Sequence, residues 1–307
     1  MPSLNHLEDP DSGAAAMPIT RDLLFDVAVK LFEKATRSVP RDTLRALEES
    51  LKSERNELAR YVLTMMLKNA RMAEETNMVV CQDTGLPAFF LRIGTGARIE
   101  ADIKKVLAEA IEKVSLEFPY RAAFVHPIFR DSTPLIVGGG VPFVICDTLA
   151  GADFLEIVMS PQASGPEFWS RVEMISPPSD PWAAVKEFVL EAVKRAGGAA
   201  CPPMVVGVGL GGDIEEVAKL AKLASIRPID ERNPDPKVAS LEEEMRALLN
   251  GTGIGPMGLG GDTTVLAVNI EVEYCMKAWL PMAVCLRCWT NRRARARIYN
   301  DGRVEYL

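Results

Sequence analysis

Apolar positions recur at helical spacing from residue 20 to residue 72. Leu23, Leu24, Val27, Leu31 and Phe32 form one stripe, Leu44, Leu47 and Leu51 a second, and Leu58, Val62, Met65 and Met66 a third that runs on toward Met72. A period near 3.6 residues predicts amphipathic helices there. Residues 101–117 repeat the pattern through Ile103, Val106, Leu107, Ala110, Ile111 and Val114, and residues 182–197, 213–224 and 241–249 also read as helices. Short apolar runs at 88–93, 142–146, 154–159, 204–208, 265–272, 282–286 and 294–299 predict strands. Val79-Val80 reads as the end of a further strand that opens a polar turn, Cys81-Gln82-Asp83-Thr84-Gly85. Residues 119–180 are rich in Pro, Gly and Ser. No repeat of fixed period is present. The pattern predicts an α+β fold of mixed helices and sheets, one large domain over 18–307 after a flexible arm over 1–17. Its long glycine-rich loops are where small-molecule chemistry tends to sit.

Composition narrows this further. The chain has 307 residues, 48% of them hydrophobic and 25% charged, enough for a sizeable core without staples. A net charge of −7 argues against nucleic acid as a partner, and an anionic substrate must then be drawn in by local Arg or Lys. No apolar run approaches the ~18–20 residues that cross a bilayer, and the first residues lack the features of a secretory signal. The expected setting is the cytoplasm, where the six cysteines stay reduced.

Three cysteines stand at element edges beside polar or flexible residues: Cys81, Cys201 before Pro202-Pro203, and Cys288 at the end of Ala283–Cys288. They read either as buried small apolar side chains or as ligands. The long gaps match no short metal motif, so spacing alone favours the first reading. Cys285 and Cys288 make one C-x-x-C, weak for zinc, which wants four ligands. Cys146 and Cys275 read as structural. Gly207-Val208-Gly209-Leu210-Gly211-Gly212 fits G-x-G-x-x-G between a strand and a helix, with Asp230 near the distance of a ribose-binding acid. Against a dinucleotide, Asp213 puts negative charge where a pyrophosphate would sit, so a tight strand-to-helix turn is the stronger reading. Gly253 to Gly261 is an anion-binding nest or only a loop. Only His6 and His126 exist, which leaves no room for a histidine triad or a multi-histidine metal centre. The arginines from Arg287 to Arg303 read as a solvated or subunit-facing strand, with one of them free to grip a carboxylate.

Taken in order, several runs resemble the alpha subunit, or N-terminal domain, of class I fumarate hydratases and their tartrate dehydratase relatives. They are Cys81–Gly85, Ala200-Cys201-Pro202-Pro203, Val206–Gly212, Arg227-Pro228-Ile229, Asn233–Pro236, Gly253–Gly261, Leu280-Pro281 through Cys288-Trp289, and Ala296–Tyr299 through Tyr306-Leu307. The likeness spans about residue 20 to the terminus. It implies that Cys81, Cys201 and Cys288 ligate a [4Fe–4S] cluster through three irons. The open fourth iron then acts as a Lewis acid on a substrate hydroxyl and carboxylate. It also implies that Gln82, Asp83, Arg121 and the backbone at Gly165 line the pocket, with Arg121 gripping a carboxylate in bidentate fashion. In that family the residue that removes the proton lies in a beta portion, so this chain is expected to work with a beta-type subunit in a hetero- or homo-oligomer.

The sequence also departs from the family pattern. Met276 stands where a histidine is usual, Gln162 and Asp262 where lysines are, and Phe168 where an asparagine is. Ser132-Thr133-Pro134 and Ile136 replace a more polar stretch. The first expectation is a hydro-lyase that interconverts fumarate and L-malate. A tartrate dehydratase-like enzyme or a repurposed, non-catalytic subunit is the alternative, and a dinucleotide-dependent oxidoreductase comes last.

Overall fold

A computed structural model describes residues 18–118, 120–121, 124–132 and 141–307. The N-terminal arm over 1–17 and the departures at Thr133, Pro134 and Ile136 lie outside the described residues. A two-residue strand β1 (Ile19–Thr20) leads into three helices, α1 (Arg21–Arg37), α2 (Arg41–Ser53) and α3 (Glu57–Thr76). Then come β2 (Leu86–Gly94), β3 (Ile99–Glu100), α4 (Ile103–Glu117), β4 (Phe143–Leu149), β5 (Phe154–Gln162), the single-turn α5 (Ser164–Phe168) and β6 (Arg171–Ile175). The chain continues through α6 (Pro181–Ala196), β7 (Met204–Leu210), α7 (Ile214–Ile226), α8 (Pro236–Asn250), β8 (Val265–Val272), β9 (Leu280–Arg287), β10 (Ala294–Tyr299) and β11 (Val304–Tyr306).

The helices begin where side chains can satisfy their first N–H groups. Thr20, Asn56, Asp102, Asp180, Asp213 and Asp235 each accept a backbone N–H from the first turn of α1, α3, α4, α6, α7 and α8. Two sheets result. The larger runs β11-β10-β5-β2-β4, antiparallel except for the β2–β4 pair, and the smaller runs β6-β9-β7-β8, with β7 and β8 parallel. Helices α1 and α4 bury Leu24, Leu31, Phe32, Leu107 and Ile111 against one face of the larger sheet. Helices α6 and α8 cover one face of the smaller sheet through Phe188, Val189, Met245 and Leu249. Helix α7 lies between the sheets: Val217 and Ala221 pack on β9, while Leu223 and Ile226 pack on Phe90, Ile145 and Val158 of the larger sheet.

The α+β expectation holds, and each helix expected by periodicity is present. Three differences have physical causes. No strand precedes Cys81. Instead Val80 gives its N–H to the Thr36 carbonyl (3.1 Å) and accepts at its own carbonyl from the Asn69 side-chain amide (3.0 Å), so the last turn of α1 and a side chain of α3 satisfy its backbone. Strand β6 was not foreseen because its five residues alternate Arg, Val, Glu, Met and Ile at a sheet edge, too short a run to stand out. The arginine-rich end is only partly solvated, with Arg303 exposed. Arg287 and Arg292 are buried, and Arg295 and Arg297 both donate to Glu156 at 2.7 Å.

Glu156 is the electrostatic centre of the larger sheet. Its side chain is only 3% exposed, and Arg92 also reaches it. Burial pushes its carboxyl up, but the hydrogen bonds from Arg295 and Arg297 outweigh burial and hold it below the usual carboxylate range. A depressed carboxyl stabilises the fold above its unfolded pKa and loses that contribution as pH falls through its folded value. Glu156→Gln should therefore cost about 2–3 kcal/mol in urea denaturation at pH 7. The deficit should shrink at acid pH, where the wild-type carboxylate also protonates. A deficit that is the same at pH 7 and pH 3 would refute this account.

Candidate active site

The three cysteines come from three loops that meet where the two sheets abut. Cys81 precedes β2 of the larger sheet, Cys201 precedes β7, and Cys288 follows β9 of the smaller sheet. Because β9 runs antiparallel to β7, the start of one and the end of the other share an edge. Each loop is anchored in one apolar cluster beneath α2 and α3, where Val80, Cys201 and Trp289 pack together with Leu47, Leu63, Met66 and Leu67. Trp289 gives its N–H to the Cys201 carbonyl (3.1 Å), and Arg292 donates to the Asp83 carbonyl (2.7 Å). The second and third loops are thus tied to each other, and the third to the first. Cys201 adopts a left-handed backbone (φ 53°), a conformation that costs a side-chain-bearing residue roughly 1–2 kcal/mol.

Cys288 is buried and Cys81 and Cys201 are half-buried. Burial pushes the Cys201 thiol up, and the nearby Cys288, Cys81 and Asp83 push it further. A thiol whose ionisation is opposed by burial and by two neighbouring thiols belongs to a donor set suited to a cationic centre. Among the described residues, no group of three His, Cys, Asp or Glu is arranged to hold a single metal ion.

The pocket residues expected from the sequence gather on the Cys81 loop. Asp83 Oδ2 accepts from the Ser164 N–H and hydroxyl, both at 2.7 Å, and Oδ1 accepts from the Gly85 N–H (3.1 Å). Its carboxylate therefore positions the α5 turn. Gly165 lies within that turn, and a Cβ there would stand 2.7 Å from the Ala199 carbonyl, so only glycine lets α5 approach the Cys201 loop this closely. Thr84 Oγ1 donates to the Arg121 carbonyl (3.1 Å), which holds the exposed Arg121 beside the same loop, and Gln82 is exposed next to Cys81.

The other cysteines and the departures find places of their own. Cys285 packs against α7 with Val217 and Ala221. Cys146 and Cys275, expected to be structural, are exposed. Met276 precedes β9, whose eight residues, at about 3.3 Å each, separate it from Cys288. Asp262 pairs with Arg55 through two bonds of 2.8 and 2.7 Å, and Phe168 is exposed at the end of α5. Gln162 is buried and accepts from Lys222 (3.3 Å), which also pairs with Glu167. A cation from α7 thus stands beside residue 162.

Lys222, Arg287 and Arg292 were not singled out by motif. The available signal was Arg287 itself, a charge inside the apolar run Ala283–Cys288. Desolvation lowers its guanidinium to about 10, which still leaves it charged at neutral pH.

The glycine motifs serve packing. A Cβ at Gly207 would lie 2.3 Å from the Ala221 carbonyl, and one at Gly209 equally close to that of Val217, so these positions let α7 press onto β7. Asp213 occupies the first N–H groups of α7, where a pyrophosphate would bind. The second glycine run supports the Cys201 loop, as Met257 gives its N–H to the Pro202 carbonyl (2.9 Å).

Comparison with known proteins agrees with this arrangement. The fumarate hydratase (Fumerase) family matches residues 25–297. The chain is 41% identical over 283 residues to a Methanocaldococcus jannaschii protein provisionally named L(+)-tartrate dehydratase subunit alpha, covering 91% of this chain and 99% of that one. It is 30% identical over 284 residues to L(+)-tartrate dehydratase subunit alpha of Escherichia coli and of Shigella sonnei, covering 92% of this chain and 93% of each.

The Asp83 strut can be checked directly. Asp83→Ala removes three accepted hydrogen bonds and should lower stability by about 1–3 kcal/mol. Amide hydrogen exchange over residues 163–169 should accelerate selectively. Unchanged exchange in that turn would exclude the strut role.

Proposed function

This chain belongs to the class I fumarate hydratase family as an alpha-type, hydro-lyase subunit, and from that premise we propose that it supplies the iron–sulfur half of a dehydratase for a small hydroxy-dicarboxylate of the L-tartrate type. The observation that carries the reading is the meeting of the Cys81, Cys201 and Cys288 loops on one apolar cluster, with Cys201 feeling the other two thiols. Tartrate is preferred over the fumarate–malate expectation because the relatives at 41% and 30% identity are named for tartrate. Their designation as alpha subunits supports a beta-type partner for this chain.

Cys81, Cys201 and Cys288 would hold the [4Fe–4S] cluster, which when bound supplies a Lewis-acidic iron for the substrate's hydroxyl and adjacent carboxylate. The chain's own residues do the rest. Arg121 pairs with a substrate carboxylate. Gln82 offers amide donors beside Cys81. The α5 turn, held by Asp83, presents the Gly165 backbone to the charge that develops on the carboxylate as a proton leaves the neighbouring carbon. The base that takes this proton comes from the beta partner. Loss of hydroxide and a proton from a dihydroxy diacid leaves an enol, which relaxes to a 2-oxo diacid. With one hydroxyl the product is the alkene.

Co-expression with a beta-type subunit and anaerobic reconstitution should give a brown protein whose absorbance bleaches in air and which dehydrates L-tartrate faster than L-malate. A colourless, iron-free protein would overturn the assignment, and faster turnover of malate would restore fumarate hydration as the main reaction. Cys81→Ser, Cys201→Ser and Cys288→Ser should each abolish iron binding, whereas Cys146→Ser should keep it. Arg121→Ala should cut turnover by at least tenfold, a loss of about 1.4 kcal/mol or more in transition-state stabilisation, and leave the colour intact.

A further inference from the structure

The loop that carries Cys288 buries two arginines with no carboxylate partner among the described residues. Arg287 is 5% exposed and Arg292 2%. Arg287 donates from Nε to the Asn291 side-chain oxygen (2.9 Å), and from one terminal nitrogen to Ser160 Oγ (2.6 Å) and the Arg292 carbonyl (2.8 Å). Arg292 donates to the Asp83 carbonyl (2.7 Å). Every one of these acceptors is neutral. In both side chains the remaining terminal nitrogen, Nη1, is buried and meets no partner. The nearby carboxylates are taken by other arginines, Asp42 by Arg293 and Glu156 by Arg295 and Arg297. Arg227 and Arg295 also bury an unpartnered nitrogen, but each carries a carboxylate.

A guanidinium does not shed its proton at neutral pH, and holding it away from water without a counter-charge is costly. Two such cations side by side call for an anion. Together with Cys288, Gln162, Ala163 and Pro166 they line a cavity of about 10 Å³, which is room for about one water and too little for a dicarboxylate. Cys288 lines the same cavity, and Arg292 holds the Asp83 carbonyl two residues from Cys81, so both cations stand beside the loops that carry the cysteine set.

We propose that Arg287 and Arg292 are the buried counter-charge of the iron–sulfur centre, positioning residues that hold its negative charge from the Cys288 side and set its reduction potential. The proposal rests on Cys81, Cys201 and Cys288 being the cluster's ligands. Net charge and hydrogen bonds to sulfur are the protein's levers on such a potential. Reduction adds negative charge to the centre, so each buried cation makes reduction easier.

The test is anaerobic potentiometry of the reconstituted full chain, followed by electron paramagnetic resonance at matched iron occupancy. Arg287→Gln and Arg292→Gln should each lower the midpoint potential, and Arg287→Lys should recover most of the loss at that position. In the wild-type protein, nitrogen-15 labelling of arginine side chains should give a guanidinium hyperfine coupling to the reduced cluster. This measurement decides the matter if the glutamine variants fold poorly or bind no iron. Midpoints unmoved by both glutamine variants, or no arginine coupling in the wild type, would overturn the counter-charge role and leave the ligand assignment standing. A wild-type chain that takes up no iron overturns both readings at once, so the two failures are distinct.

Discussion

The site depends on one apolar cluster. Val80, Cys201 and Trp289 are drawn from three loops far apart in sequence, and all pack beneath α2 and α3 with Leu47, Leu63, Met66 and Leu67. Burying one aliphatic side chain of this size contributes about 1.5–3 kcal/mol, so each loop is held by a contact comparable to several surface interactions. Val80 and Trp289 are immediate neighbours of Cys81 and Cys288. The thiols are therefore positioned by the hydrophobic effect acting one residue away, and hydrogen bonds from Trp289 and Arg292 then set the loops' relative height.

Charge is arranged against the overall balance of the chain. The protein carries −7 net, yet Arg287, Arg292, Arg121 and Lys222 all stand around the cysteine loops. Buried charges this close persist only where the structure supplies an opposite partner or where a bound anion does. Lys222 has Glu167. Arg287 and Arg292 have only neutral acceptors. The same region holds the Cys201 thiol, whose ionisation is opposed by burial and by the neighbouring Cys288 and Cys81. Cations and latent anions thus share one small volume, an arrangement with a plain purpose if a thiolate-held centre occupies it.

Helix α7 sets the spacing of the two sheets and so of the two halves of the site. Gly207 and Gly209 allow it to lie on β7, and Leu223 and Ile226 meet the larger sheet from its other side. Cys81, Gln162 and Ser164 lie at or just beyond the adjoining ends of β2 and β5 in the larger sheet, and Cys201 and Cys288 at strand ends of the smaller one. A bulkier residue at Gly207 would push the helix outward, and the effect would reach the cysteines through the seam. The glycine motif that looks like a phosphate loop is, in this chain, a packing device with its helix start already capped by Asp213.

Much of this was legible in the residues alone. Helical stripes such as Leu23–Phe32 and strands such as Val265–Val272 follow from local periodicity, because side-chain burial on one face is written into every third or fourth residue, or every second. The ordered motifs around Cys81, Cys201 and Cys288 were enough to name the family. Tertiary structure alone decided the rest. It placed Val80 in a coil instead of a strand, exposed Cys146, and moved Met276 a strand's length from Cys288. It also brought Lys222 to Gln162 and sealed Arg287 and Arg292 behind the Cys288 loop. None of these is a local property. Each depends on which distant backbone or side chain arrives beside a residue once the sheets close on α7, and no pattern along the chain encodes that meeting.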